Sequence, residues 1–236
     1  MSGGLLIIGS SQAGVQLAVS LRALGYAEPI TLLGDENHRP YQRPALSKEY
    51  LQGKVSKESL IYRAQDYWQG SRIQVVRNER ILRIDKGDDG SGIAHSMSGA
   101  EFSFDRLALA VGARARKLLV DGIDSNGVLY LRNADDALEL KARVPDVCDV
   151  VVIGGGFIGI EAAASLHSMG RTVTLLEAAP RLVGRAVGEE TSRYLLEHHR
   201  SNGIDVVLNA RLRKILSAGD HVCAVELEDG RTIKAD

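Results

Sequence analysis

Short apolar runs alternate with longer amphipathic stretches along the chain, the pattern of parallel strands covered by helices. Leu5–Ile8 enters the turn Gly9-Ser10-Ser11-Gln12-Ala13-Gly14. A helical pattern follows over about 12–24, Gly25 suits its C′ position, and Ile30–Leu33 leads to Gly34-Asp35-Glu36. The plan then recurs. An apolar run over 150–153 enters Gly154-Gly155-Gly156-Phe157-Ile158-Gly159, a helix is predicted over 157–169, Gly170 ends it, and a strand over 172–176 reaches Glu177. Gly25 lies eleven positions after Gly14, and Gly170 lies eleven positions after Gly159. A matched register of this kind predicts one structural unit used twice.

The segment between the copies has no repeat character. Residues 38–54 are rich in Pro, Arg, Ser and Lys and predict a loop with a short helix near 45–51. Strands are predicted at 73–76 and 81–84, a hairpin at 93–97 and 101–104, and a buried strand at 107–111. A linker over 117–133 and a helix over 134–142 precede the second copy. After it come a helix at 189–202, a strand at 204–208, and a hairpin of 214–216, 222–227 and 232–233. The expected fold is α/β: two Rossmann-like dinucleotide-binding domains with parallel sheets and antiparallel β-hairpin arms, divided into 1–113 and 114–236.

The glycines have separate physical tasks. Gly154 allows a tight turn out of its strand, Gly156 lets backbone approach a pyrophosphate, and Gly159 lets helix and sheet pack closely. The pyrophosphate would rest on free N–H groups at the positive end of the helix, joined by Gly155, Phe157 and Ile158 of the same turn. Glu177 would accept hydrogen bonds from adenosine ribose hydroxyls and repel a 2′-phosphate. Ala178-Ala179-Pro180 offers no cation beside it, so NADH is expected over NADPH, with Arg185 and Arg181 near enough to matter. In the first copy Ser11 replaces the middle glycine. Its hydroxyl can still line a phosphate site, with Gly9, Gln12, Ala13 and Gly14, and Asp35 matches Glu177 as the acid.

Composition narrows the class. The 236 residues carry a formal charge of −1, which gives no footprint for nucleic acid or an anionic membrane surface. No apolar run approaches the roughly 20 residues of a membrane span. Cys148 and Cys223 form no C-x-x-C pair and are expected as buried thiols in a reducing, cytoplasmic setting. The six histidines fit no metal spacing, and His198 and His199 are expected at a surface or rim. Tyr41, Tyr62, Tyr67 and Trp68 are expected in the core rather than beside a cofactor.

Several stretches resemble the FAD-dependent NADH:ferredoxin or rubredoxin reductases of the pyridine nucleotide–disulfide oxidoreductase superfamily, which serve oxygenase and cytochrome P450 systems. The resemblance lies in 9–18, in Gly34-Asp35-Glu36, and in Pro40-Tyr41-Gln42-Arg43-Pro44-Ala45-Leu46-Ser47-Lys48, close to P-Y-x-R-P-P-L-S-K. It continues in Leu109-Ala110-Val111-Gly112-Ala113-Arg114, in Gly159-Ile160-Glu161 and in 177–185. It implies that 1–113 holds FAD, with Gly9, Ser11 and Gly14 at the pyrophosphate and Asp35, beside Glu36, at the ribose. Arg43 and Lys48 would lie along the flavin. Val76, Ala110, Val111, Gly112 and Arg114 would also meet the cofactor, and 114–236 would hold NADH.

Lys48 and Glu161 are the pair expected at the chemistry, the lysine near flavin N5. The stretch 43–51 has no cysteine, so a thiol relay is not expected. The implied reaction passes hydride from NADH to FAD and then single electrons to a small ferredoxin or rubredoxin. The alternatives are a nucleotide-binding fragment without full catalysis, or an apoptosis-inducing-factor-like or nitrite-reductase-type oxidoreductase. The family continues with a further strand, a second FAD segment and a C-terminal domain, so a fragment or short form with weaker FAD retention is expected.

Overall fold

The structure, a computed structural model, describes residues 3–236. The chain forms two compact units, one of residues up to Arg43 with Ser56–Arg114, the other of Pro44–Val55 with Ala115–Asp236. The sequence reading keeps 44–55 with the first unit. In the structure this stretch packs with the second, because Leu51 is fully buried in a core that contains Ile160, Leu166, Leu175 and Val206. Burying one leucine contributes roughly 1.5–3 kcal/mol, enough to fix where a short segment docks.

In the first unit β1 (Leu5–Ile8), α1 (Gln12–Ala23), β2 (Ile30–Leu33), α2 (Gln65–Gly70) and β3 (Ile73–Val76) precede an antiparallel arm of β4 (Ile81–Lys86), β5 (Gly92–Ser96) and β6 (Glu101–Phe104). β7 (Arg106–Leu109) then returns to the parallel sheet, whose order is β3-β2-β1-β7. All four residues of β1 are buried, for a reason visible in the pleat. Leu5 and Ile7 join Val15, Ala18, Leu32 and Trp68 on one face, while Leu6 and Ile8 join Leu33, Ala94 and Phe104 on the other. The predicted hairpin is thus two strands of a three-stranded arm, with β4 pairing against β5. Trp68 is in the core, as expected, but the helix that carries it was not predicted.

The second unit contains α3 (Ala134–Arg143), β8 (Asp149–Ile153), α4 (Phe157–Ser168), β9 (Thr172–Glu177), α5 (Glu189–Ser201) and β10 (Asp205–Leu208), followed by β11 (Leu212–Ala218), β12 (His221–Leu227) and β13 (Thr232–Lys234). Its parallel sheet has the order β10-β9-β8, the counterpart of β3-β2-β1. Among the described residues no strand pairs with the outer edge of β8, and β8 is only partly buried. Asp236 donates one backbone hydrogen bond there, to the Asp149 carbonyl at 2.9 Å.

Four local expectations change. Residues 45–51 form no α-helix: turns follow a 3₁₀ turn at Arg43–Ala45, and Tyr50 N–H reaches back five residues to Ala45. Both cysteines are exposed rather than buried, Cys223 because it alternates with buried Ala224 on β12. His199 is buried, its ring nitrogens at the carbonyls of Leu195 (2.7 Å) and Ile160 (3.2 Å), while His198 is exposed and stacks on Tyr194. β7 ends at Leu109, so Ala110 and Val111 continue beyond the strand.

Candidate functional site

Each glycine turn sits where a doubly wound sheet offers a ligand crevice, at the carboxyl end of its first strand. In the first unit β2 and β7 flank β1 on opposite sides, which places the crevice at Gly9. Gly9 has φ of +116°, its N–H binds the Leu33 carbonyl at 2.8 Å, and Ala110 N–H binds the Ile8 carbonyl at 2.8 Å. A Cβ on Gly9 would lie 2.1 Å from the Ala110 oxygen, and one on Gly14 would lie 1.9 Å from the Gly9 oxygen. Neither glycine can carry a side chain while the turn keeps this shape.

Ser11 is the N-cap of α1, yet its side chain caps nothing. Its oxygen accepts from Arg43 Nε at 3.0 Å instead. Arg43 also pairs with Glu36, whose other carboxylate oxygen accepts from the Tyr41 hydroxyl at 2.6 Å, and the guanidinium lies 5.5 Å from the Tyr41 ring centre. Arg43 is therefore part of a built network, not a solvated loop charge. Tyr62 donates to the Gln12 side chain. Burial raises the Tyr62 phenol above its usual range, against the opposing pull of Arg43, so it stays a neutral donor at neutral pH. Asp35 and Arg114 are exposed, Gly112 has φ of +63°, and the Val76 carbonyl accepts from Gly34 N–H at 2.9 Å.

In the second unit Gly154 has φ of +111° and binds the Leu176 carbonyl at 2.8 Å. A Cβ on Gly159 would fall 1.8 Å from the Gly154 oxygen, repeating the Gly14–Gly9 contact. A Cβ on Gly156 would meet nothing within 4 Å, so backbone is open to a ligand there. The Glu177 carboxylate accepts from Gly155 N–H and from Ala179 N–H, both at 2.7 Å. Each oxygen keeps a further lone pair for a hydroxyl donor. Arg181 donates to the carbonyls of Gly184 and Val187 in its own loop, and Arg185 is exposed. Phe157 and Ile158 are exposed at the mouth of the turn.

The two turns are related by one residue pair that the sequence comparison does not reveal. Strand pairing matches Ile8 with Leu33 and Ile153 with Leu176, so the counterpart of Glu177 is Gly34, and Asp35 lies one residue further on. A Cβ on Gly34 would sit 2.1 Å from the Ser10 oxygen; one on Gly155 would sit 2.5 Å from Leu182 Cδ2 and 3.0 Å from Glu177. One polar side chain lies in this place beside each turn. The first supplies it from position 10, the second from position 177.

Neither helix has an acid in its first turn, and by helix geometry its leading N–H groups have no intrahelical acceptor. Both turns therefore fit the pyrophosphate of a dinucleotide. Within the second unit, Glu161 in α4 meets the 44–55 segment: Ser47 donates to one carboxylate oxygen at 2.6 Å and Lys48 Nζ lies 3.3 Å from the other. Two surface concavities, of about 310 Å³ beside Trp68 and about 610 Å³ beside Asp121, gather none of these groups. Among the described residues no cluster of His, Cys, Asp and Glu is placed to hold a metal, and no helix is long and apolar enough to cross a membrane.

The chain belongs to the pyridine nucleotide-disulphide oxidoreductase family, which matches residues 4–236. Within it, the chain is 36% identical over 232 residues to the rubredoxin-NAD(+) reductase of Pseudomonas putida, covering 98% of this chain and 60% of that protein. It is 39% identical to the rhodocoxin reductase of Rhodococcus erythropolis, covering 98% and 54%. The crystal structure of the ferredoxin reductase for the CYP199A2 system from Rhodopseudomonas palustris superposes with a TM-score of 0.94 at 40% identity, over 100% of this chain and 57% of that one. The chain thus spans between half and two thirds of the length of these relatives.

Proposed function

We propose that the chain carries the nucleotide-binding machinery of an FAD-dependent NADH reductase that serves a small iron–sulfur protein of the ferredoxin or rubredoxin kind. The observation that carries this reading is the pair of glycine-closed helix N-termini, α1 and α4, one per unit and each without an acid in its first helical turn. In this reading the unit of 3–43 and 56–114 takes FAD, and the unit of 44–55 and 115–236 takes NADH. FAD supplies what the side chains lack, acceptance of a hydride and release of electrons one at a time. The chain's residues bind and orient. Gly9, Ser11, Gln12, Ala13 and Gly14 hold one pyrophosphate, with Arg43 adding positive charge through its bond to Ser11. Asp35 meets the adenosine ribose while Glu36 keeps Arg43 in place. Val76, Ala110, Val111, Gly112 and Arg114 line the same crevice.

Gly154 to Gly159 hold the second pyrophosphate. Glu177, locked by two backbone N–H groups, selects NADH over NADPH, because a 2′-phosphate would meet a fixed carboxylate and Arg181 is committed to its own loop. Arg185 borders this site. The Lys48 ammonium, held by Glu161, favours negative charge arriving at the hydride acceptor. The absence of cysteine from 43–51 favours direct electron transfer over a thiol relay. A partner of the iron–sulfur class is supported by relatives named for rubredoxin and by a superposable putidaredoxin reductase–putidaredoxin complex (TM-score 0.90, 33% identity). A reducing, cytoplasmic setting suits the two unpaired thiols. The test is an anaerobic titration of the FAD-loaded protein with NADH. Bleaching of the flavin at one equivalent is expected; NADH binding with no bleaching would leave a nucleotide-binding protein without this activity.

A further inference from the structure

We propose that Ser47 and Ser165 are positioning residues for the Lys48–Glu161 pair. Glu161 and Ser165 lie four residues apart on α4 and so share a face. The Glu161 carboxylate is divided, one oxygen accepting from Ser47 Oγ at 2.6 Å and the other facing Lys48 Nζ at 3.3 Å. Ser165 Oγ donates to the Ser47 carbonyl at 2.7 Å and accepts from Gln52 Nε2 at 3.0 Å. Ser47 is 4% and Ser165 2% exposed, in a helix whose other buried residues are Ile160, Ala162, Ala163 and Leu166. A buried hydroxyl in such a face is costly unless bonded, and here the hydroxyl is bonded both as donor and as acceptor.

These bonds have a directional effect. The Lys48 contact is longer than the 2.7–2.9 Å of a tight charge-assisted bond, and both partners are about a third exposed, so the ion pair alone would not hold the ammonium in one place. The short Ser47 bond fixes the carboxylate plane, and the Ser165 bond to the Ser47 carbonyl, with Gln52 donating to the same hydroxyl, fixes the backbone that carries Lys48. Because 44–55 departs from the unit on either side of it in sequence, Lys48 takes its position from α4, the helix that also carries the second glycine turn. The serines act through Glu161 and touch no reacting atom.

The inference rests on the reading of Lys48 as a charge beside the hydride acceptor, and the test separates the two. In the full chain without FAD, hydrogen exchange reports residues 47–52 and titration reports NADH affinity. In the FAD-loaded chain, stopped-flow reports flavin reduction at saturating NADH. Ser165→Ala is expected to speed exchange at 47–52 about tenfold. Ser47→Ala is expected to slow flavin reduction about three- to tenfold with NADH affinity unchanged, and Ser47→Thr to restore it. Unchanged exchange and unchanged reduction in both alanine variants, with Lys48→Met slow, would overturn the positioning role and leave the Lys48 reading intact. Normal reduction in Lys48→Met would overturn the Lys48 reading, and exchange would then decide the serine clip alone.

Discussion

The two glycine turns agree where the turn itself makes a demand and differ where neighbours and ligand do. In both, the last glycine, Gly14 or Gly159, cannot carry a Cβ, because it would fall within 2 Å of the first glycine's carbonyl oxygen. At the first glycine they part. Gly9 is pressed against Ala110, which follows β7 beside β1, whereas a Cβ on Gly154 would meet nothing within 4 Å. The side chain beside the turn also changes hands, Ser10 with Gly34 in one unit and Glu177 with Gly155 in the other. A motif of equal spacing thus builds two turns with different surroundings.

The largest expected effect separates the first glycines. Gly9→Ala combines a positive φ with a backbone clash and should destabilise its unit by about 3 kcal/mol or more; Gly154→Ala carries the φ strain alone, about 1–3 kcal/mol. The single tryptophan, Trp68, belongs to the first unit, so urea unfolding followed by its fluorescence should respond to Gly9→Ala and not to Gly154→Ala. Equal shifts from both would remove the asymmetry. Next comes the exchanged side chain. Gly34→Ala should cost about 1–3 kcal/mol through its clash with Ser10, and adding Ser10→Gly should recover most of it. Additive losses in the double variant would show that the two positions do not share one space. The smallest effect concerns selectivity. Glu177→Ala frees two backbone N–H groups and removes a negative charge, and should weaken NADH binding about tenfold while NADPH binding holds or improves. A parallel loss for both nucleotides would assign Glu177 to loop structure alone.

Much of this was legible in the sequence, for a physical reason. Apolar runs entering glycines, and helices ending at Gly25 and Gly170, are local signals set by strand burial and turn geometry, and the elements at those positions match them. What stayed hidden depends on contacts distant in sequence. The docking of Leu51 in the second core, the bonds of Ser47 and Ser165 over more than 100 residues, and the Ser10–Gly34 contact leave no periodic trace. The short helix expected near 45–51 does not form, because hydrogen bonds reaching back three, four and five residues prevent a regular one. Cys223 and His199 were misplaced because residue type alone does not say which face of a strand or helix a side chain occupies.

The two glycine turns are expected to bind different dinucleotides independently. Calorimetric titration of the chain with FAD and with NADH, repeated in Gly14→Ala and in Gly159→Ala, tests it most directly. The account predicts two independent one-to-one sites, with FAD binding lost only in Gly14→Ala and NADH binding lost only in Gly159→Ala. Competition of the two nucleotides for one site, or loss of both ligands from a single substitution in a chain that remains folded, would contradict it.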